Sequence, residues 1–227
     1  MKPRDYTDII IENLEGGYYH PNMKNKLKNG EKMGSSGETM FGLDRTNGVP
    51  AKREIWDNFW EVVDQYYSVK HSNTKYYNDK ADGKNGISSE VGEQLRDLAS
   101  REMWRRFEEL YKDPYAPRSI YLTNEELNYI LTHPSICLNM LYAVWGGVDR
   151  FKTLAKVLHE ALQQTQNEDD VWKALQLKRV EIGTTQAATN LEKAKTYLKE
   201  NYQSGFNFGA LALAICGVGI IYLMLKK

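Results

Sequence analysis

The end of the chain holds an uninterrupted apolar run of the length that spans a lipid bilayer. Residues 206–225, FNFGALALAICGVGIIYLML, contain one strongly polar side chain, Asn207, and two lysines follow them. A helix rises about 1.5 Å per residue, so about twenty residues match a hydrocarbon core of about 30 Å. The run therefore predicts a transmembrane helix and a single-pass membrane protein with a C-terminal anchor.

A buried core helix is the alternative for this run. That alternative is weaker, because the run is apolar all round and the rest of the chain has enough apolar residues for its own core. Lysines flank both ends of the run, so the positive-inside rule leaves the orientation of the head open; they are Lys193, Lys195, Lys199, Lys226 and Lys227. Residues 1–8 lack the apolar segment of a secretory signal, so we expect no cleaved export signal.

Charge and cysteine content limit the partners, ligands and disulfides that we expect for this chain. The 227 residues carry 30 Lys plus Arg and 30 Asp plus Glu, so no net field attracts nucleic acid, and we expect no nucleic-acid partner. Cys137 falls in a predicted core helix and Cys216 in the apolar run, which makes a disulfide between them unfavourable. The cysteine spacing matches no zinc or redox motif, and we expect no metal and no cofactor.

A lone carboxylate stands where an apolar N-terminal helix meets two glycines. Apolar residues within 9–14 predict a helix with a buried stripe, and Gly16 and Gly17 end it directly after Glu15. Apolar neighbours at a helix end partly desolvate a glutamate and raise its pKa, as a general acid near neutral pH requires. The structural alternative is the last turn of a surface helix with a glycine C-cap.

Two segments carry a resemblance to a known enzyme family. Glu15-Gly16-Gly17-Tyr18 and, after a loop, Gly37-Glu38-Thr39-Met40-Phe41-Gly42-Leu43 resemble the EGGY and GETxYGI signatures of glycoside hydrolase family 108. Members of that family are similar to phage-type lysozymes. The resemblance implies a mainly α (α+β) fold, in which a lysozyme-like helical domain carries a small β-hairpin. It also implies N-acetylmuramidase activity on peptidoglycan, without a cofactor.

The resemblance assigns roles to five residues. It implies that Glu15 is the catalytic acid and that Thr39, together with Glu38, positions the attacking water. It further implies that Tyr18 and Gly37 contact the substrate. Short polar strand residues and ordinary hairpin packing are the structural alternatives for Thr39 and Tyr18.

The chain departs from the lysozyme pattern at the second carboxylate. In phage-type lysozymes an Asp usually follows the acid by nine residues, whereas Lys24 takes that place here and no Asp lies between Tyr18 and Gly37. Glu31 and Glu38 are the nearby carboxylates that remain to steer water. The sequence leaves inversion and retention both open, because the separation of the two carboxyl groups decides between them.

The rest of the chain predicts helices joined by polar loops. Thr123 and Glu126 have the spacing of a capping box, Pro134 begins the next helix, and Gly183 marks a break between two amphipathic helices in 168–202. We predict a lysozyme-like catalytic domain, an amphipathic helical stalk and a membrane anchor; their ranges are 1–165, 166–204 and 205–227.

Three functional hypotheses follow. The first is a membrane-anchored peptidoglycan hydrolase of phage origin, used in lysis or in virion entry, whose partners are bacterial peptidoglycan and, through residues 206–225, the lipid membrane. The second is an inactive lysozyme-fold protein that binds the wall or is a structural membrane protein of a virion, and the absent Asp motivates it. The third is a membrane-permeabilising device built from the amphipathic helices and the span. The oligomeric state stays open.

Overall fold

The computed structural model describes residues 1–15, 18–19, 39–45, 54–66, 90–112 and 122–202. Across these residues the chain is mainly helical, and it has a small antiparallel sheet near its N-terminus. The mainly α fold class with a small β element, predicted from the sequence, is therefore confirmed. The predicted transmembrane segment, residues 206–225, lies outside the described residues.

The described residues contain eight helices and three short strands. The helices are α1 (Pro3–Asn13), α2 (Glu54–Tyr66), α3 (Glu90–Lys112), α4 (Asn124–Thr132), α5 (Pro134–Trp145), α6 (Val148–Leu162), α7 (Glu168–Glu181) and α8 (Thr185–Tyr202). The strands are β1 (Tyr18–Tyr19), β2 (Thr39–Met40) and β3 (Leu43–Asp44). The chain divides into two compact units, of which the first comprises Lys2–Arg106 and the second begins at Phe107.

Helix α1 forms where the sequence predicts it. Pro3 stands in its first turn, where a missing N–H leaves no hydrogen bond unmade, and the Asp5 carboxylate accepts a hydrogen bond from the Lys2 backbone N–H at 2.6 Å. The apolar stripe of the helix is buried, and it includes Ile9, Ile10 and Ile11. Burial of three isoleucines anchors the helix and fixes the direction in which its end points.

The sheet is a three-stranded antiparallel ladder in the order β1-β2-β3. Strands β2 and β3 pair as a hairpin in which Met40 lies opposite Leu43 and Thr39 lies opposite Asp44. Phe41 and Gly42 form the two-residue turn, and both have positive φ, 54° and 72°. Positive φ at both central residues is the signature of a type I′ turn, whose twist matches that of the strands.

An aromatic cluster forms the core between the hairpin and α2. The ring of Phe59, which is fully buried, lies 6.4 Å from Phe41 and 5.4 Å from Trp60, measured between ring centroids. The Arg45 guanidinium lies 5.1 Å from the centroid of the Trp60 ring and pairs with Asp64 through two hydrogen bonds. These contacts tie the end of β3 to α2.

In the second unit, α5 is the central helix. All twelve of its residues are buried, and it contacts α4, α6, α7 and α8. Its sequence, PSICLNMLYAVW, is apolar on every side, as a helix surrounded by others requires. The start of α4 is capped as predicted, because the Thr123 hydroxyl accepts from the Glu126 N–H and the Glu126 carboxylate accepts from the Thr123 N–H. Pro134 begins α5, also as predicted.

The residues predicted as a stalk form α7 and α8, and the break between them falls at the predicted glycine, Gly183. Both helices pack on α5 and belong to the second unit. Three large apolar residues of this region are exposed; they are Leu177 (62%), Val180 (49%) and Ile182 (38%). The predicted domain boundary at 165 stays a prediction.

Membrane-spanning helices are absent from the residues that the structure describes, since each helix there is too short or too polar to cross a bilayer.

Candidate active site

Glu15 lies immediately after α1 and is held in place through its backbone. Its N–H donates to the Ile10 carbonyl at 3.0 Å, and the Leu14 N–H donates to the same oxygen at 2.9 Å. Both bonds return to the buried turn of α1, so the position of Glu15 follows from the packing of that helix. Its side chain is half-buried.

The Glu15 carboxylate lies directly against the turn of the hairpin. A β-carbon built on Gly42 would overlap the Glu15 Oε2 and Cδ atoms and would lie 2.9 Å from its Cγ. Glycine is required there for two reasons: the close approach of the carboxylate and the φ of +72°. The structure thus brings together the two segments that carry the family resemblance, one at Glu15 and the other at Gly42.

The residue before Gly42 is held in a strained conformation. Phe41 has a φ of 54°, which is unfavourable for a bulky side chain, yet its ring is buried and packs against Phe59. Strain of this kind costs about 1–3 kcal/mol and persists where the surrounding packing enforces it. The aromatic cluster therefore fixes the turn that contacts Glu15.

The other acids near the middle and end of α1 form ion pairs with basic residues. Asp8 Oδ1 accepts from Arg4 Nε at 2.8 Å and from the Arg96 guanidinium at 2.9 Å. Glu12 accepts from the same Arg96 at 3.2 Å. These two carboxylates join α1 to α3, whereas Glu15 reaches the hairpin. Their positions indicate a structural role for Asp8 and Glu12.

The predicted site residues divide between described and undescribed parts of the chain. Thr39 is half-buried on β2, and Tyr18 lies on β1, paired with Met40. Gly37 and Glu38 lie outside the described residues, as does Glu31. The structure therefore places Glu15, Thr39 and the Tyr18 backbone in one small region, formed by the end of α1 and the sheet.

Asp44 is a carboxylate of this region that the sequence analysis missed. It is half-buried on β3, directly opposite Thr39. The signal that would have found it is the two-residue spacing of Phe41-Gly42, which sets Thr39 against Asp44 in a tight hairpin. Phe-Gly is not a typical type I′ pair, so the register was not evident from the residue types.

The described residues hold no group of three His, Cys, Asp or Glu side chains placed to bind a metal ion.

Comparison with known proteins returns no match. No family model, no curated protein and no solved structure matches this chain.

Proposed function

We propose that this protein is a membrane-anchored peptidoglycan hydrolase of the N-acetylmuramidase type, with a lysozyme-like fold in its N-terminal part. One observation carries the proposal: the Glu15 carboxylate lies against Gly42, in the hairpin that contains Thr39. The two resembling segments, far apart in sequence, thus meet at a carboxylate, as a shared active site requires.

Glu15 acts as the general acid. It donates its proton to the glycosidic oxygen between N-acetylmuramic acid and N-acetylglucosamine, so that the sugar leaves as a neutral alcohol. A carboxyl group that is half-buried against the turn of the hairpin is suited to hold this proton near neutral pH. The raised pKa expected for Glu15 stays a prediction.

Thr39 positions the attacking water through its hydroxyl, together with Glu38, which precedes it in the chain. Tyr18 and Gly37 contact the glycan. The reaction needs no cofactor, because two carboxyl groups and water are sufficient for glycoside hydrolysis. Residues 206–225 anchor the enzyme in a membrane, and the resemblance to phage-type lysozymes favours a phage product that acts in lysis or at virion entry.

The test compares the full chain, purified in detergent, with its Glu15→Gln variant on a suspension of purified peptidoglycan. A positioned general acid contributes about 10²–10⁴-fold to the rate, so we expect clearance by the wild type and loss of at least 10²-fold in the variant. Glu12→Gln is the matched control, since Glu12 lies on α1 and pairs with Arg96. We expect this variant to retain its activity.

A second candidate function is a wall-binding protein without turnover, favoured by the Lys24 that stands where lysozymes have Asp. If the folded wild type binds peptidoglycan in a pelleting assay and leaves its turbidity unchanged, this candidate replaces the muramidase.

A further inference from the structure

We propose that Asp44 is the second carboxylate of the site and takes the role of the Asp that the sequence lacks. In this role Asp44 is the general base that removes a proton from the water held by Thr39. This inference rests on the proposed muramidase function and adds a residue to it.

The register of the hairpin carries the first step. Thr39 and Asp44 lie directly opposite each other, and the β-carbons of such a pair are about 4.5–5.5 Å apart. Side chains alternate between the two faces of a strand, and the neighbouring pair, Met40 and Leu43, is buried at 3% and 2% exposure. Thr39 and Asp44 therefore share the opposite, more open face. One water molecule placed between a hydroxyl and a carboxylate at this spacing contacts both.

The place of Asp44 along the hairpin carries the second step. Glu15 lies against Gly42, and Asp44 follows Gly42 by two residues on β3. A strand rises about 3.4 Å per residue, so the backbone positions of Gly42 and Asp44 lie about 7 Å apart. A base that acts through a water gives inversion, and inverting glycosidases hold their carboxyl groups about 6.5–9.5 Å apart. Inversion is therefore the stereochemical outcome that this role of Asp44 requires.

Asp44 combines a half-buried position with a place opposite Thr39, in the hairpin whose turn contacts the Glu15 carboxylate. The acid, the hydroxyl and the second carboxylate thus belong to one small part of the fold, which places Asp44 to act on a water at Thr39.

The reaction step balances as follows. The water oxygen bonds to the anomeric carbon as Asp44 takes one of its protons, and the bond to the glycosidic oxygen breaks as Glu15 donates its own proton to that oxygen. The products are a muramic-acid end of inverted configuration and a free hydroxyl on the leaving sugar. Asp44 then releases its proton to solvent and Glu15 takes one up, which restores the starting state.

The experiment measures turnover of peptidoglycan by full-chain wild type, Asp44→Asn, Asp44→Ala, Glu12→Gln and Glu15→Gln, with unfolding temperatures to verify that each variant is folded. We expect Asp44→Asn to lose at least 10²-fold in kcat, while the control Glu12→Gln, whose carboxylate pairs with Arg96, retains most of the activity. We also expect sodium azide to restore bond cleavage in Asp44→Ala and to yield a glycosyl azide in mass spectra, because azide attacks without a base. A purely structural role of Asp44 would not produce that adduct.

The outcomes separate the two proposals. An active wild type, an inactive Glu15→Gln and an active Asp44→Asn would overturn the role of Asp44 and leave the muramidase standing. Loss of activity in Asp44→Ala without azide rescue would also overturn it. A folded wild type that cuts no glycan would overturn both proposals.

Discussion

The two compact units bury positive charge in opposite ways. In the first unit the Arg96 side chain, which is 4% exposed, pairs with the carboxylates of Asp8 and Glu12. In the second unit Arg179 is fully buried, and its hydrogen bonds go to the side-chain and backbone oxygens of Asn139, at 2.9 and 2.8 Å. Burial lowers the pKa of Arg179 to about 10, and its guanidinium lies 5.4 Å from the centre of the Tyr142 ring.

The two units also differ in the role of their glycines with positive φ. In the first unit Gly42 allows the close approach of a carboxylate. In the second unit Gly147 and Gly183 have open space where a side chain would be, so they serve the connections between helices. The positive-φ glycine of the first unit therefore shapes the candidate site, whereas those of the second unit shape the connections between helices.

The largest expected effect is on stability, and it compares Arg96→Met with Arg179→Met. Removing Arg96 takes one of two cations from Asp8, which keeps Arg4, and breaks the pair with Glu12, so we expect a loss of about 2–3 kcal/mol in the free energy of unfolding. Replacing Arg179 removes a desolvated charge but also the hydrogen bonds to two Asn139 oxygens, and because these effects oppose each other we expect a change within about 1 kcal/mol. Urea denaturation measures both, and equal losses would remove the contrast between the units.

The next effect compares Gly42→Ala with Gly183→Ala. Both glycines have similar positive φ, +72° and +78°, so each substitution carries backbone strain of about 1–2 kcal/mol. At Gly42 the new methyl group also displaces the Glu15 carboxylate, and we expect at least a tenfold loss of peptidoglycan turnover. Gly183→Ala is the matched control and retains its turnover. Equal turnover in the two variants would show that the contact between Glu15 and the hairpin turn does not affect catalysis.

The smallest effect is a pH dependence in the second unit. Burial, together with the nearby Glu168, raises the pKa of Tyr129 to about 12. The folded state keeps the Tyr129 proton up to about pH 12, whereas the unfolded state loses it near pH 10. The contribution of this proton to the free energy of unfolding is therefore complete below pH 10 and is lost as the pH rises through about 12. We expect Tyr129→Phe to weaken the fall in stability between pH 10 and 12. An absorbance titration that places Tyr129 near pH 10 would contradict this.

Local signals in the sequence predicted local structure well. The capping box at Thr123, the proline that begins α5 and the break at Gly183 each depend on a few neighbouring residues, and each is confirmed. Glu15, which follows the apolar stripe of α1, is half-buried.

Features set by tertiary packing were not predictable in the same way. The place of Asp44 depends on a turn in which Phe41 adopts a strained φ, and that conformation is enforced by the distant ring of Phe59. The exposure of Leu177 and Val180 depends on which side of α7 faces its neighbouring helices, and apolar spacing alone does not distinguish the sides.

The most direct test of the central claim identifies the sugar ends that the full chain releases from peptidoglycan. Fragments are reduced with borohydride and analysed by mass spectrometry, beside a parallel digest with Glu15→Gln. The account predicts reduced muramic-acid ends from the wild type and none above background from the variant. Fragments with other ends, or the same muramic-acid ends in equal amounts from both proteins, would contradict a muramidase that works through Glu15.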